Sequence, residues 1–581
     1  MTKLFQTPVL AMAMAVLPAS ASSGAITDPS PGIAITIAPA APNAAHVIPY
    51  VDVIVVTQDM HRKAGEDLFK LALVANTVVT SGKDLQGLAI ADAKGTIAAT
   101  VKDVEEDGSN RTRIWQAPRA IDGAVTIRYR VPIDAAAPPL ALPQYEMRTE
   151  QDGFSAAANA FVLLPADEIA RRATVHWDFA AYGAGGVGVS SFGVGGATST
   201  EPLPASRLSS VYYMAGKPGV FQAGKDGFFA AWQGTPPFAM DPLMRWAGDL
   251  HRFYGSFFGY VPPSFGVFGR TNLRNPGSGI GLTDSFAFTF NHTSKPDDLK
   301  SLLAHEMLHS WVRSLDESMD AAGGLDRSWF GEGLAVHYQR MLPYRAGMIT
   351  ADAFLADLNE TAARYYTNIK INVPNAEIPA GFWKDTRIRV LPYDRGSLYF
   401  AALDAAVRKV SSGKHGLDDM VRTMLAARQA GKPMDEALWR SLVKAQLGAK
   451  GIADLDAMLA GGTVTPPSDA FGPQFRRVSR MLRRFDLGFD PASLTVRPKI
   501  VKGLIAGSEA ETAGLHNGDE ILNTFSQDGL QGDQTRMLTL EVKRGSERLS
   551  IRYLPRGEHV AAYQWELVPG KQQSAKLPQP R

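Results

Sequence analysis

The chain has 581 residues, of which 45% are hydrophobic and 20% charged, and its formal net charge is +2. This length exceeds what one hydrophobic core usually organises, so we expect several domains, and the composition excludes a disordered, collagenous or multi-span membrane protein. The small net charge excludes a strong global attraction to nucleic acid. The absence of cysteine excludes disulfides, thiol nucleophiles and sulfur-ligated metals, so any metal must be bound by His, Asp or Glu.

The first residues have the pattern of a cleavable secretory signal. Lys3 supplies a positive start, Pro8–Leu17 is a short apolar run and Ala19-Ser20-Ala21 is a small-x-small cleavage site. The run is too short to cross a bilayer as a helix. We therefore expect a signal peptide over residues 1–21, a secreted or periplasmic protein and no transmembrane segment. The alternative is a frayed apolar tail.

Residues 22–170 are predicted to form an N-terminal β-sandwich. Val51–Thr57 is rich in β-branched residues, and Ala124–Val131 alternates apolar and polar side chains. The glycine-dense segment Tyr182–Gly196 contains a formal dinucleotide-binding pattern, but no helix signal follows it. We therefore favour a flexible loop there over a cofactor site.

Residues 171–470 are predicted to form a second domain that becomes helical from about Pro242. Apolar spacing of three and four predicts helices over 244–258, 297–314, 328–342, 352–367, 396–411 and 434–446. Paired glycines and prolines near residue 465 mark its end.

The segment Phe475–Phe485 has apolar residues at helical spacing with arginines between them. It predicts a basic amphipathic helix, which we interpret as a packed linker with a solvated arginine face; binding to a membrane or nucleic acid is the alternative. Residues 569–581 are polar and Pro-bearing, which predicts a disordered tail.

The stretch most informative about chemistry is His305-Glu306-Met307-Leu308-His309. Two His four residues apart project from one face of a helix, so both imidazoles can reach one ion. Glu306 between them is placed to act on water near that ion as a general base.

A third ligand is needed, and Glu332 is the preferred candidate. It lies in the helix-compatible stretch 329–335, where flanking Gly and Ala let two helices approach closely. Asp316, Glu317 and Asp320 are nearer in sequence but fall in a predicted loop. Two His and one carboxylate leave a position open for water, as catalytic zinc requires, although other divalent metals use the same ligands. By helix geometry His337 points elsewhere.

The chain resembles the glycyl-aminopeptidase family of gluzincin zinc metallopeptidases, which carry a C-terminal PDZ domain. The resemblance rests on three motifs, HEMLHSW at 305–311, WFGEGLAVHY at 329–338 and the segment 393–422. It implies a multidomain α+β chain in which a β-sandwich precedes a thermolysin-like catalytic domain. It also implies zinc held by His305, His309 and Glu332, with Glu306 as general base, and it makes Tyr393 the donor to the tetrahedral oxyanion.

The resemblance places substrate binding on the strand before the zinc helix, at Gly281, Leu282, Thr283 and Asp284. The family usually carries a Glu-His pair where this chain has Thr283 and Asp284. Here the carboxylate available to a substrate α-ammonium group is that of Asp284, one position after the Glu of the family.

Residues 471–568 are predicted to form a PDZ domain preceded by the linker helix. The signal is the run 503–522, in which small residues start a short helix and an Asn-Gly-Asp turn leads into a strand. Leu487, Gly488 and Phe489 are the candidate loop that receives a peptide carboxylate, with the peptide adding a strand. A PDZ domain that binds nothing is the alternative.

The sequence therefore predicts a secreted, zinc-dependent metallopeptidase acting on peptides, most consistent with an aminopeptidase that releases small N-terminal residues. An endopeptidase using the same site is one alternative. A PDZ-bearing binding protein with a vestigial zinc site is the other, although such a protein has no need for Glu306.

Overall fold

The computed structural model describes residues 32–570 except 77, 106–109, 136–144, 223, 225–226, 274, 318–323 and 526. The predicted signal peptide and residues 571–581 of the predicted tail lie outside the described residues. Among the described residues, no helix combines the length and apolar character that crossing a bilayer requires.

The N-terminal part is rich in β-strands. Two sheets, of order β16-β13-β1-β2-β9-β5-β6 and β12-β3-β8-β7, contribute to one apolar core, and a third has the order β10-β11-β17-β14-β15. The elements are β1 Gly32–Pro39, β2 Tyr50–Arg62, β3 Asp67–Ala75, β4 Val78–Val79, β5 Gln86–Asp92, β6 Gly95–Thr96, β7 Thr100–Glu105, β8 Arg111–Gln116, β9 Ile121–Pro132, β10 Arg148–Glu150, β11 Gly153–Ala157, β12 Leu164–Pro165, β13 Arg172–Trp177, β14 Val187–Ser190, β15 Gly193–Val194, β16 Ala197–Thr198, α1 Ala205–Leu208 and β17 Tyr212–Gly216.

This sheet-rich region continues past residue 170, where the sequence predicted its end. Strand β13 pairs in parallel with β1, and β17 pairs with β11. The glycine-dense segment forms the short β14–β15 hairpin rather than a phosphate-binding turn before a helix. At Gly188 a Cβ atom would lie 2.1 Å from the Trp177 ring, so only glycine fits against that indole.

The central part holds a five-stranded sheet of order β18-β19-β20-β22-β21, covered by helices. Each of the six predicted helices is found, with its ends displaced by several residues at most except where α10 continues to Leu459. The elements are β18 Gly219–Gln222, β19 Phe228–Gln233, α2 Met240–Phe258, β20 Phe265–Thr271, β21 Gly279–Leu282, β22 Ser285–Phe290, α3 Pro296–Leu308, α4 Ser328–Arg345, α5 Ala351–Tyr366, α6 Ile378–Gly381, α7 Thr386–Arg389, α8 Leu391–Val410, α9 Leu417–Gln429 and α10 Glu436–Leu459.

Helices α4 and α8 approach each other closely at a pair of glycines. A Cβ at Gly333 would lie 2.6 Å from Gly396 Cα, and a Cβ at Gly396 would lie 2.4 Å from the Trp329 carbonyl oxygen. The predicted role of the glycine beside Glu332 in close helix approach is therefore confirmed. The contact fixes the head of α8 against the helix that carries Glu332.

The C-terminal part corrects one prediction. Phe475–Phe485 is not a helix but strand β23, paired antiparallel with β27. Phe475 packs in the core of the central part and Phe485 in a separate small core, at opposite ends of the strand. The arginines between them face solvent or pair across the ladder, as Arg476 does with Glu566 at 2.7 Å. The helical spacing of the apolar residues was therefore misleading.

The β23–β27 hairpin carries a module with its own core at its end. The elements are β23 Phe475–Phe485, α11 Glu509–Thr512, β24 Glu520–Ile521, α12 Gln527–Gly532, β25 Leu538–Arg544, β26 Glu547–Tyr553 and β27 Arg556–Leu567. Strands β24, β25 and β26 form one sheet. The predicted short helix and the Asn-Gly-Asp turn into a strand are both found, as α11 and the start of β24. We refer to residues 486–555 as the C-terminal module.

Candidate metal centre and active site

Three side chains from two helices converge beside the central sheet. His305 lies in the last turn of α3, His309 follows that helix with helical backbone angles (φ −63°, ψ −13°), and Glu332 lies in the second turn of α4. The two His Nε2 atoms are 3.3 Å apart. Glu332 Oε2 lies 3.1 Å from His305 Nε2 and 3.6 Å from His309 Nε2.

These separations fit a tetrahedral zinc ion. Metal–ligand bonds of about 2.0–2.1 Å place tetrahedral ligand atoms about 3.3 Å apart. The donor set of two imidazoles and one carboxylate is that of a catalytic rather than a structural site, because it leaves a fourth position open. Among the residues the structure describes, no other group of three His or carboxylate ligand atoms converges in this way.

The second nitrogen of each imidazole is anchored, which points both Nε2 atoms at the centre. His305 Nδ1 lies 2.9 Å from Gln339 Oε1, and His309 Nδ1 lies 3.2 Å from the carbonyl oxygen of Val312. Gln339 in turn donates to Asp357 Oδ2 at 2.8 Å. Such partners orient metal-binding imidazoles and fix their tautomer.

Sequence reasoning missed Gln339 and Asp357. A signal was present for Gln339, because it follows Glu332 by seven residues and therefore lies on the same face of α4, two turns away. Asp357 lies on α5, so its contact with Gln339 depends on how the helices pack.

We expect the variant Gln339→Met to bind zinc about 10–100-fold more weakly than the parent, because the His305 ring loses the acceptor that orients it. Competition with a chromogenic chelator measures this affinity. Lys300→Met, an exchange at a lysine of α3 that pairs with Asp297, is the control and should bind zinc like the parent. An unchanged affinity in Gln339→Met would contradict the assignment.

The three candidate ligands shift one another's pKa values through hydrogen bonds and charge. Burial alone would raise the pKa of Glu332, but hydrogen bonds with His305 and His309 hold it far below its usual range. Burial likewise opposes protonation of His309, but the Glu332 carboxylate outweighs it and raises the pKa of His309 to about 9. We therefore expect His309 to carry a proton at neutral pH until a metal ion displaces it.

Zinc binding should therefore release a proton. Because zinc needs the neutral imidazole, its apparent Kd should fall by about tenfold per pH unit as the pH rises towards the His309 pKa, and level off above it. Calorimetry in buffers of different ionisation enthalpy counts the proton released. A Kd that does not change between pH 6.5 and 9 would contradict this assignment.

Strand β21 passes directly beside Glu306. A Cβ added at Gly281 would lie 3.8 Å from Glu306 Oε2, so Gly281 keeps this edge of the site open. Leu282 is half-buried and packs against a small apolar cluster between the N-terminal and central sheets. Of the predicted substrate-binding segment, Gly281 therefore lies beside the Glu306 carboxylate.

Thr283 and Asp284 are engaged with the N-terminal part. The Thr283 hydroxyl donates to the Arg207 carbonyl oxygen at 2.5 Å, and the Asp284 carboxylate pairs with the Arg207 guanidinium at 2.8 Å. Burial raises the pKa of Asp284, although Arg207 opposes that effect. Thr283 carries no carboxylate, and the Asp284 carboxylate is already paired with Arg207.

Tyr393 lies beside the three converging side chains, in the first turn of α8. Its ring is nearly parallel to the His305 ring, with centroids 6.1 Å apart. Burial, together with the carboxylates of Glu332 and Glu306, raises the pKa of Tyr393 well above its ordinary value. The phenol therefore keeps its proton at neutral pH, as a hydrogen-bond donor must.

The other residues considered as ligands do not join this group where the structure describes their side chains. Asp316 is exposed and forms an ion pair with Arg327, and Asp320 lies outside the described residues. His337 is buried, and its ring contacts Tyr338 edge to face. Burial lowers the pKa of His337 to about 3, so it is a neutral core residue.

The predicted peptide-binding loop lies at the junction of the C-terminal module and the central part. Leu487 and Phe489 are buried in the module core, and Gly488 (φ 78°) donates its N–H to Asp486 Oδ1 at 2.8 Å. Leu487 and Phe489 line a cleft of about 460 Å³ together with Ile369 of the central part.

Comparison with solved structures shows where this fold occurs. The chain is similar to an aminopeptidase N family protein from Idiomarina loihiensis, with 15% identity, a TM-score of 0.65 and coverage of 94% of this chain and 100% of that one. An M1 zinc metallopeptidase from Deinococcus radiodurans (16% identity, TM-score 0.46, 75% of this chain and 95% of that one) and yeast LTA4 hydrolase (12%, 0.44, 75% and 68%) are more distant.

Similarity to known sequences is confined to one segment of the chain. No curated protein matches the chain significantly. Residues 298–377, which contain His305, Glu306, His309 and Glu332, match the sequence model of the M61 glycyl aminopeptidase family. The chain thus combines an aminopeptidase-like fold with a glycyl-aminopeptidase sequence pattern around its candidate metal centre.

Proposed function

We propose that the protein is a zinc-dependent aminopeptidase that removes small N-terminal residues from peptides. The observation that carries this proposal is the convergence of His305, His309 and Glu332 at tetrahedral zinc spacing, with Glu306 in the same helix. The match of residues 298–377 to glycyl aminopeptidases and the likeness to an aminopeptidase N family protein support it.

The proposed reaction is hydrolysis of a peptide bond by water. His305, His309 and Glu332 would hold a zinc ion, which would supply Lewis acidity and lower the pKa of a bound water. Glu306 accepts the proton of the attacking water and transfers it to the leaving amine nitrogen. Tyr393 donates a hydrogen bond to the carbonyl oxygen as negative charge develops there, an interaction that is strongest in the transition state.

The substrate main chain is proposed to bind along β21, the terminal strand of the central sheet. An edge strand offers unpaired N–H and C=O groups to an extended peptide. Gly281 allows that peptide to pass next to Glu306, since it has no side chain to project towards the carboxylate.

An endopeptidase is the second candidate, and one observation favours it. An aminopeptidase holds the α-ammonium group of its substrate with a carboxylate, but Asp284 already pairs with Arg207 and Thr283 carries no charge. An endopeptidase has no need for such a carboxylate.

Product analysis on paired peptides distinguishes these candidates. We expect free peptides with Gly or Ala at the N-terminus to lose that residue first, and N-acetylated copies to resist cleavage. Internal cleavage of the acetylated copies would establish the endopeptidase instead. Zinc binding without cleavage of either set would favour a binding protein.

We further propose that residues 1–21 direct secretion, in Gram-negative cells to the periplasm, and that the C-terminal module is a PDZ domain. The cleft beside Leu487 and Phe489 is its proposed peptide site. Fluorescence anisotropy with labelled peptides, with or without a free C-terminal carboxylate, tests this role, because a PDZ site binds only those with the carboxylate.

A further inference from the structure

The C-terminal module contacts the central part close to Tyr393. Its helix α12 lies against α5 and α7, where Asp528 pairs with Arg389 at 2.7 Å. Gln531 donates to the Thr386 hydroxyl at 3.0 Å. A Cβ at Gly532 would lie 2.4 Å from the side chain of Glu360, so α12 packs on α5 without a gap.

Helix α7 leads directly into the helix that carries Tyr393. Arg389 is the last residue of α7, Val390 separates the two helices, and Tyr393 is the third residue of α8. The Asp394 N–H donates to the Val390 carbonyl oxygen at 3.0 Å, which joins the two elements. Arg389 and Tyr393 are therefore only four residues apart, about one helical turn, along a continuous backbone.

The start of α8 is also held from α5. The Asp394 side chain is completely buried and accepts two hydrogen bonds from Arg364, at 2.8 and 2.6 Å. The same helix α5 carries Asp357, which holds Gln339 behind His305. Helix α5 thus supports both His305 and the start of α8 that carries Tyr393. The same helix contacts the C-terminal module.

We propose that Asp528 of the C-terminal module is a positioning residue for Tyr393. By pairing with Arg389 it holds the end of α7, and so the start of α8, in place relative to the zinc ligands. The C-terminal module then contributes to catalysis without touching the substrate. This inference rests on the proposed peptidase function.

The charges around the phenol agree with this arrangement. Beyond the effects of burial and the nearby carboxylates, the Arg389 guanidinium lowers the pKa of Tyr393 and the Asp528 carboxylate raises it. The two paired charges act on the phenol in opposite directions, so breaking the pair leaves one of them uncompensated.

The test uses the full-length zinc-loaded protein with single and paired substitutions. Asp528→Asn and Arg389→Gln should each lower kcat by about tenfold with KM little changed, because a small displacement of a catalytic donor is costly. The double variant should lose no more than either single one. The exchanged pair, Arg389→Asp with Asp528→Arg, should recover part of the lost kcat.

Two controls separate positioning from folding. The Arg389–Asp528 pair is about one-third exposed, with 30% and 36% side-chain accessibility, so it contributes little to overall stability. Zinc affinity and Tm should therefore equal those of the parent. Glu566→Gln removes a partly exposed pair with Arg476 in the same C-terminal region and should leave kcat unchanged.

The inference is overturned if Asp528→Asn keeps the parental kcat, if only KM changes, or if activity is lost together with zinc or Tm. A parent that cleaves no peptide would refute the proposed function instead. In that case hydrogen exchange still decides the positioning claim, since Asp528→Asn should speed exchange at residues 386–400 but not in α3. If residues 386–400 exchanged no faster in Asp528→Asn than in the parent, the positioning claim would be wrong.

Discussion

Glu306→Gln should lower kcat by about 10²–10⁴-fold, the range that general acid–base catalysis supplies. The amide has nearly the same shape as the carboxylate but accepts no proton from water. Because Glu306 is not one of the three converging ligands, the variant should still bind one zinc ion per chain. Peptide hydrolysis and metal content, measured on the same sample, check both halves of this expectation.

Asp298→Asn is a matched control for that variant. It exchanges an exposed carboxylate in the first turn of the same helix and should leave kcat near the parental value. If Glu306→Gln retained most of the activity, Glu306 would not be the base, and the mechanism proposed above would be wrong.

Tyr393→Phe should lower kcat by about 10²–10³-fold with little change in KM. Loss of one donor to a developing oxyanion has this magnitude, and the loss appears mainly in the transition state. The Phe ring preserves the contact with His305, so zinc affinity should be retained. Steady-state kinetics on a small free peptide, with zinc content measured in parallel, tests the prediction.

Tyr399→Phe is the corresponding control on α8. Its ring packs edge to face on Trp329 in the core, away from the solvent. We expect it to keep the parental kcat. A similar kcat loss in both variants would mean that Tyr393 acts through packing rather than through its hydroxyl.

Much of the catalytic arrangement was predictable because it depends on short-range spacing. The His pair is set by the helix period, and the acidic first turn of α3 with Pro296 at its first position marks the helix start. Glu332 could be chosen because glycine follows it, and the structure shows Gly333 in contact with α8. Local pattern and local packing therefore agree at this site.

The supporting contacts were less predictable because they join distant segments. Asp357 and Arg364 read as ordinary polar residues of an amphipathic helix, yet one supports His305 through Gln339 and the other holds Asp394. Helix α9 was also missed, although its buried residues Leu417, Met420, Val421, Met424 and Leu425 lie at the helical spacing of three and four.

The strand at Phe475–Phe485 shows how periodicity can mislead. Its two terminal phenylalanines belong to two different cores, so their spacing reflects the positions of those cores rather than a helix face. Among the intervening arginines, Arg476 and Arg480 pair with Glu566 and Arg484 pairs with Glu558, both on the partner strand. Cross-strand pairing of this kind is invisible until the register is known.

The central claim is that His305, His309, Glu332 and Glu306 together form a zinc-dependent peptidase site. The most direct test is to strip the purified protein of metal and titrate zinc back while measuring hydrolysis of a free N-terminal glycyl peptide. We expect activity to rise with added zinc and to saturate at one equivalent per chain. One equivalent of zinc bound at this site, with no peptide bond hydrolysed, would contradict it.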